Sequence, residues 1–290
     1  MDKIAVIILQ YNKSNLTIDC LSSMKEHECV DKFDIFVVDN NSLDSEYEAI
    51  ESYRDRNDFF NIIRMEKNYG FGVAHNILIN SISNKFVVLL NNDTLLIDNA
   101  ITKISEYYLN NDCDFCTGTL LNTDKSYQEN SAGYFYFPHP LIRLSNAIKN
   151  NLLKGSVTRI NYVNGAFFMI SKELFLKAGG FSKNIFMYGE DLDFMIKLNL
   201  MGFNNGIKLN NTRIIHIGGA SSLQKWNNKE KSRLQISQGN CIVKQHYGKT
   251  KNFVFAMIAF VVTILSVNKL LFSTELYKNN LLKSIYRLTQ

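Results

Sequence analysis

Along the first hundred residues, apolar runs alternate with polar clusters in blocks. Ile4 to Leu9 is a β-branched run that gives way to Gln10-Tyr11-Asn12. Phe33 to Val38 gives way to Asp39-Asn40-Asn41-Ser42, and Asn61 to Met65 leads into a glycine-bearing loop, Lys67 to Gly72. Phe86-Val87-Val88-Leu89-Leu90 stops abruptly at Asn91-Asn92-Asp93-Thr94. Short apolar runs bounded by turn-forming residues predict strands, and the Val- and Leu-rich run at Phe86 predicts one buried on both faces. Between the runs the spacing turns helical. Leu16, Cys20, Leu21 and Met24 fall on one face of a helix with Ser14 or Asn15 as its cap. Further helices are expected over 44–56 and 73–82. Strand and helix in strict alternation predict an α/β fold, a mostly parallel sheet with helices on both faces.

The second half is less regular. A strand is expected over 114–121, and Asn161 to Ser171 reads as another, with Gly165-Ala166 marking a place where backbone passes close to a ligand. Tyr134-Phe135-Tyr136-Phe137-Pro138-His139-Pro140 is an aromatic loop, suited to stacking on a sugar or to plugging a core. Ser171 caps a short helix that Gly179-Gly180 ends. Glu190-Asp191-Leu192-Asp193 opens a helix running to Met201, with Leu192, Ile196 and Leu200 on its apolar face. An extended segment over 206–217 carries His216 near its end, and an amphipathic helix comes next over 228–247.

Phe253 to Val267 is 15 residues without a charge. A bilayer span takes about 20 apolar residues. This stretch is therefore expected to be a buried helix or an interfacial anchor. The basic tail after it, with Lys278, Lys283 and Arg287, favours peripheral membrane contact over 253–272. The implied organisation is one domain over 1–225 and a helical region over 226–290.

Composition alters this picture little. The net charge of +5 is mild and weighted to the last third, which gives no indication of a nucleic-acid partner. Five cysteines, an odd number, with Met1-Asp2-Lys3-Ile4 leading straight into a strand, suggest reduced thiols in the cytoplasm. Cys113-Asp114-Phe115-Cys116 lacks the second ligand pair of a zinc site nearby.

The strand ends carry the candidate chemistry. In an open α/β sheet, ligands sit at the carboxyl edge. Asn12, Asp39, Asn68 and Asp93 all come after predicted strands, so they should line one crevice. The oxygen-rich tip Asn91-Asn92-Asp93 suits Mg²⁺ or Mn²⁺ better than Zn²⁺. Read alone, that tip is equally a polar turn before a helix.

Four segments, in order, resemble family 2 glycosyltransferases of the GT-A fold, in particular the bacterial rhamnosyltransferase-like branch. They are Ile7 to Asn12, Val37 to Ser42, Asn68-Tyr69-Gly70-Phe71-Gly72 and Leu89 to Thr94. A fifth, Gly179-Gly180-Phe181 through Phe186 to Asp193, resembles the acceptor-side signature. The resemblance implies a nucleotide-sugar donor, UDP- or dTDP-linked with dTDP-rhamnose leading, and a glycan or lipid-linked glycan acceptor. The setting it implies is surface polysaccharide synthesis at the inner face of the cell membrane.

The residue roles implied are equally specific. Gln10, Asn12, Asp39, Asn68, Gly70, Asn91, Asn92 and Gly165 would bind the donor, with Asp39 accepting from the pyrimidine N3–H. Asp93 and His216 would hold the metal. Asp191 would be the base of an inverting displacement, and Glu190 would orient the acceptor. Relatives often carry Asp-x-Asp where this chain has Asn91-Asn92-Asp93, so a single-carboxylate metal site is expected. The rival reading is a non-catalytic nucleotide-sugar-binding or scaffold subunit, and its discriminating feature is that Asp93 and Asp191 are both present.

Overall fold

A computed structural model of the chain describes residues 3–128, 131–133, 155–218 and 228–248. The chain divides into two units, Met1–Gly133 with Gly155–Lys225, and Tyr134–Lys154 with Trp226–Gln290. The second unit contributes one described helix, Asn228–Tyr247. The aromatic loop at 134–140 and the apolar stretch at 253–272 lie outside the described residues. Among the described residues, no helix is long and apolar enough to cross a membrane.

The first unit opens with the expected alternation: β1 (Ile4–Gln10), α1 (Ser14–His27), β2 (Phe33–Asp39), α2 (Asp44–Arg54), β3 (Phe60–Arg64), α3 (Phe71–Ser81) and β4 (Phe86–Asn91). Next come β5 (Thr94–Leu96), α4 (Ala100–Asn110), β6 (Phe115–Leu121), β7 (Ala132–Gly133), β8 (Val157–Ile160), β9 (Tyr162–Val163), β10 (Phe167–Ser171), α5 (Lys172–Lys177), α6 (Glu190–Leu200) and β11 (Gly206–His216). The main sheet runs β3-β2-β1-β4-β10-β6-β11-β5, with β8 on β11, and β7 pairs β9 separately. From β3 to β4 every pairing is parallel. Beyond β4 the sheet is mixed, because β10 runs antiparallel to both β4 and β6.

Both faces of the sheet are dry. Val6, Ile8, Val37 and Leu90 join residues of α1, α2 and α4 in one layer. Their chain neighbours Ala5, Ile7, Val38 and Leu89 join α3, α5 and α6 in the other. The period-2 pleat thus feeds two cores, which is why these strands read as unbroken apolar runs. Cys116 lies in the first layer, and burial pushes its thiol far up, the reverse of what a thiolate ligand needs.

Three local expectations need correction. The run over 161–171 is two strands in two sheets, β9 and β10, split by a turn at Gly165-Ala166. The cap of α1 is not Ser14 or Asn15: Lys13 takes the left-handed conformation, and the Glu46 carboxylate accepts from Ser14 N–H at 2.6 Å across the fold. The buried apolar face of α6 keeps Ile196 and adds Phe194, Met195 and Leu198, while Leu200 is 58% exposed.

One irregularity matters for the site. The pairing of β11 with β6 slips between Lys208 and Arg213, so two stretches of β11 meet β6 in different registers. A bulge of this sort bends a strand and re-aims the residues beyond it. The end of β11 then pairs with β5, His216 opposite Thr94, which brings His216 beside the residues after β4.

Candidate active site

The parallel register aligns four strand ends. Gln10 pairs with Asp39, Leu9 with Asn91, and Asp39 with Arg64. Their side chains do different work. Gln10 is fully buried: its Oε1 accepts from Thr17 Oγ1 at 2.5 Å, and its Nε2 donates to the Glu46 carbonyl. Asn92 donates to the same Thr17 hydroxyl at 3.1 Å. Their amides tie β1 and the turn after β4 to α1, with partners inside the fold.

Asp39 is different. It is 1% exposed; Oδ2 accepts from Ser42 N–H at 3.2 Å and faces Arg64 Nε at 3.5 Å. Oδ1 is buried with no partner among the described residues. A buried carboxylate oxygen without a donor is costly, and it marks a place where a ligand N–H belongs. Arg64 is held there by Asp44 at 2.7 Å and by the ring of Tyr47, 4.4 Å from its guanidinium.

The loop from β3 to α3 is buckled by Asn40. Its amide donates to Asn68 Oδ1 at 3.0 Å and accepts from Tyr69 N–H at 2.9 Å, while Asn68 Oδ1 also receives Gly70 N–H. Asn68 therefore shapes the loop. Gly70 has φ +78° and lies against the Phe186 carbonyl, where any side chain would collide. One close approach that requires glycine here is to the chain's own loop at Phe186. Asn12, with φ 52°, donates its N–H to Ser42 Oγ and accepts from Leu43 N–H, so it braces the loop after Asp39.

At β4 the polar tip is a turn into β5, with no helix starting until Ala100. Asp93 is buried, and its Oδ1 lies 3.3 Å from His216 Nε2. Asn91 Nδ2 is 3.5 Å from the same nitrogen, and Ile217 N–H donates to the Asp93 carbonyl. The other ring nitrogen of His216 lies 2.7 Å from Gln128 Oε1. Among the described residues, no group of three or more His, Cys, Asp or Glu converges as a metal site would. Asp93 and His216 are the pair brought together.

The acceptor side is joined to β4 by one turn. Asn91 N–H donates to the Ala166 carbonyl at 2.9 Å, and the adjacent Gly165 N–H donates to Asp191 Oδ2 at 3.3 Å. Asp191 also accepts from Tyr162 Oη at 3.3 Å and from Leu192 N–H at 2.7 Å. Burial pushes its carboxyl up, and those three donors oppose the shift. Glu190 beside it is pushed to about 8, first by burial and then by the Asp191 charge, and its Oε2 has no partner among the described residues. Asp193, the third acid of the run, accepts from Ser182 Oγ at 2.5 Å and pairs with Lys197 at 3.0 Å. It is structural.

Sequence reasoning missed Asn40, Tyr162 and Gln128. Asn40 stood inside the Val37 to Ser42 segment; Tyr162 and Gln128 carry no sequence signal, because their partners are distant in the chain.

The family model for glycosyl transferase family 2 matches residues 5–177, more than half of the chain and all of the parallel strand ends. The chain belongs to this family. It is 27% identical over 113 residues to a teichoic acid poly(glycerol phosphate) polymerase of Staphylococcus epidermidis, covering 39% of this chain and 16% of that one. It is 22% identical over 134 residues to glycosyltransferase GlyG of Streptococcus pneumoniae, covering 46% and 42%. The chain thus matches less than half the length of each of these curated relatives. Among solved structures, the mannosyltransferase PcManGT from Pyrobaculum calidifontis, in complex with GDP-Man and Mn²⁺, aligns with TM-score 0.64 and 14% identity over 99% of this chain and 85% of that one. GalNAc-T7 with UDP, GalNAc and Mn²⁺ aligns with TM-score 0.59 and 13% identity over 85% and 54%. The fold is the GT-A arrangement, a central sheet flanked by helices. Both structural relatives hold Mn²⁺.

Proposed function

We propose that this family 2 glycosyltransferase is inverting and cation-dependent, and that it takes its sugar from a UDP- or dTDP-linked donor. The observation that carries the donor reading is the unpartnered Asp39 Oδ1. Uracil and thymine present one N–H at N3, which a single free carboxylate oxygen accepts. Guanine presents an N–H and an adjacent amino group that together engage both oxygens of a carboxylate, and here Oδ2 is occupied by Ser42 and Arg64. Cytosine has no hydrogen at N3. The Asp39 site therefore favours uridine and thymidine donors, dTDP-rhamnose among them.

Asp93 Oδ1 and His216 Nε2 face each other at a separation that suits a shared cation. A carboxylate and an imidazole fit Mn²⁺, or Mg²⁺ with more of its shell supplied by water and diphosphate. A divalent cation there would offset the charge growing on the departing nucleoside diphosphate. With two protein ligands, the site gains affinity when donor oxygens complete it.

Asp191 is the proposed base. Oδ1 accepts one protein hydrogen bond and Oδ2 two, so Oδ1 keeps a lone pair for the acceptor proton. The acceptor hydroxyl gives its proton to Asp191 as its oxygen bonds to the anomeric carbon. The bond from that carbon to the diphosphate breaks on the opposite face, and its electron pair leaves with the diphosphate. Direct displacement needs one base and no protein nucleophile. Glu190 would orient the acceptor. We assign the acceptor to a glycan, lipid-linked in surface-polysaccharide synthesis; the teichoic acid polymerase among the relatives supports the surface-polymer setting. The proposed place is the cytoplasmic membrane face, with residues 253–272 as the peripheral contact.

The test is a panel of UDP-, dTDP-, GDP- and CMP-sugars in thermal unfolding, with Mn²⁺, Mg²⁺ or EDTA. A ligand that binds only the folded state raises its midpoint. A midpoint rise confined to uridine or thymidine donors, and lost in EDTA, is expected. A rise with GDP-sugars alone would contradict the Asp39 assignment, and metal-independent rises would contradict the cation site.

A further inference from the structure

The proposed cation pair works only if His216 offers an unprotonated Nε2, and the structure contains a device that fixes this. Gln128 Nε2 faces two acceptors, the His216 backbone carbonyl and Asn122 Oδ1, each at 3.4 Å. Asn122 is itself oriented, since its Nδ2 donates to Ser126 Oγ at 2.9 Å. With its NH₂ turned to two carbonyl oxygens, the Gln128 amide presents oxygen to His216 Nδ1 at 2.7 Å. An oxygen acceptor requires Nδ1 to carry the hydrogen. In a neutral imidazole that leaves a lone pair on Nε2, aimed at Asp93 Oδ1 at 3.3 Å and approached by Asn91 Nδ2 at 3.5 Å. In the neutral ring, that lone pair and the Asp93 oxygen are close enough to bind one cation lying to the side of the line that joins them.

The mount is rigid. Gln128 N–H donates to the Leu120 carbonyl, and Leu121 bridges Tyr127, so Gln128 sits at the base of a hairpin growing from β6. We infer that Gln128 is a positioning residue that selects the metal-ready tautomer of His216 and holds its ring against Asp93. This rests on the proposed reading of Asp93 and His216 as the cation pair. Partners of this kind behind a metal-binding histidine typically change metal affinity by about 10- to 100-fold when removed.

The test is Mn²⁺ binding read by electron paramagnetic resonance, with UDP present, on the whole chain. Gln128→Leu should weaken Mn²⁺ by about 10- to 100-fold. Gln128→Met removes the amide at similar length and should weaken Mn²⁺ likewise, while ¹⁵N shifts of wild-type His216 should report the hydrogen on Nδ1. Wild-type affinity in a folded Gln128→Leu or Gln128→Met would overturn the inference, as would a hydrogen on Nε2 alone in wild-type His216. If Gln128→Leu does not fold, Gln128→Met and the His216 tautomer still decide. Wild-type protein that holds no Mn²⁺ with UDP would instead overturn the proposed cation site, so the two failures are distinguishable.

Discussion

At the scale of single residues, two adjacent carboxyls sit in different surroundings. Asp191 receives three hydrogen bonds, which favour its ionised form; Glu190 Oε2 receives none and is crowded by protein. With its carboxyl pushed to about 8, Glu190 is mostly neutral at pH 7 and can donate to an acceptor oxygen. The groups around it are Asp191 on the same helix, the Tyr162 hydroxyl from β9, itself pushed above its usual range, and the Tyr188 backbone. Transfer is therefore expected to fall as pH rises through about 8. Glu190→Gln, which keeps a donor, should retain transfer and lose that alkaline limb in a pH–rate profile. A Gln variant that is inactive at every pH would show that the carboxyl acts by ionising. The same shift sets the sign for stability. The folded state holds a proton that the unfolded chain releases above its ordinary 4.5, so Glu190 costs stability increasingly between 4.5 and about 8.

At the scale of elements, an aromatic block carries the acceptor-side loop. Phe181 touches Phe71, Phe175 and Phe194 with ring centroids 5.9, 5.3 and 5.2 Å apart, linking α3, α5 and α6. Asn76 on α3 clasps Phe181 through both its backbone N–H, at 3.0 Å, and its carbonyl, at 2.8 Å. His75 stands beside this block, 4.3 Å from the Phe71 ring, and burial lowers it from 6.5 to about 4. It is neutral in the fold. Its contribution is complete above 6.5 and is lost as pH falls through that value towards 4, on the order of 3 kcal/mol in all. Urea unfolding between pH 7 and 4 should show this loss, and His75→Asn should flatten it whatever its overall stability. An unchanged acid slope in that variant would place the titrating group elsewhere.

At the scale of the whole molecule, the parallel half was legible because each strand is one contiguous apolar run with its helix directly after it. The mixed half was not. β10 pairs with strands about eighty and fifty residues earlier, and the apolar content of 161–171 hid the turn that aims Gly165 N–H at Asp191. Asp93 and His216 were legible as residue types at strand ends; their meeting depends on the register slip in β11, which no local pattern announces. Gln10 and Asn92 were legible as amides at strand ends, but the bonds that both make to Thr17 were not.

Across the first unit, one turn links Asn91 to Ala166 and Gly165 to Asp191. In the proposed reading, binding and chemistry fall to different residues and can be separated. The measurement that tests this most directly is Asp191→Asn, assayed in parallel for Mn²⁺–UDP binding and for nucleotide release from the donor that stabilises the wild type. Binding within a few-fold of wild type is expected, with turnover reduced by about 10²- to 10⁴-fold, the usual contribution of a general base. Substantial turnover in a variant that still binds would contradict Asp191 as the base and, with it, the proposed displacement.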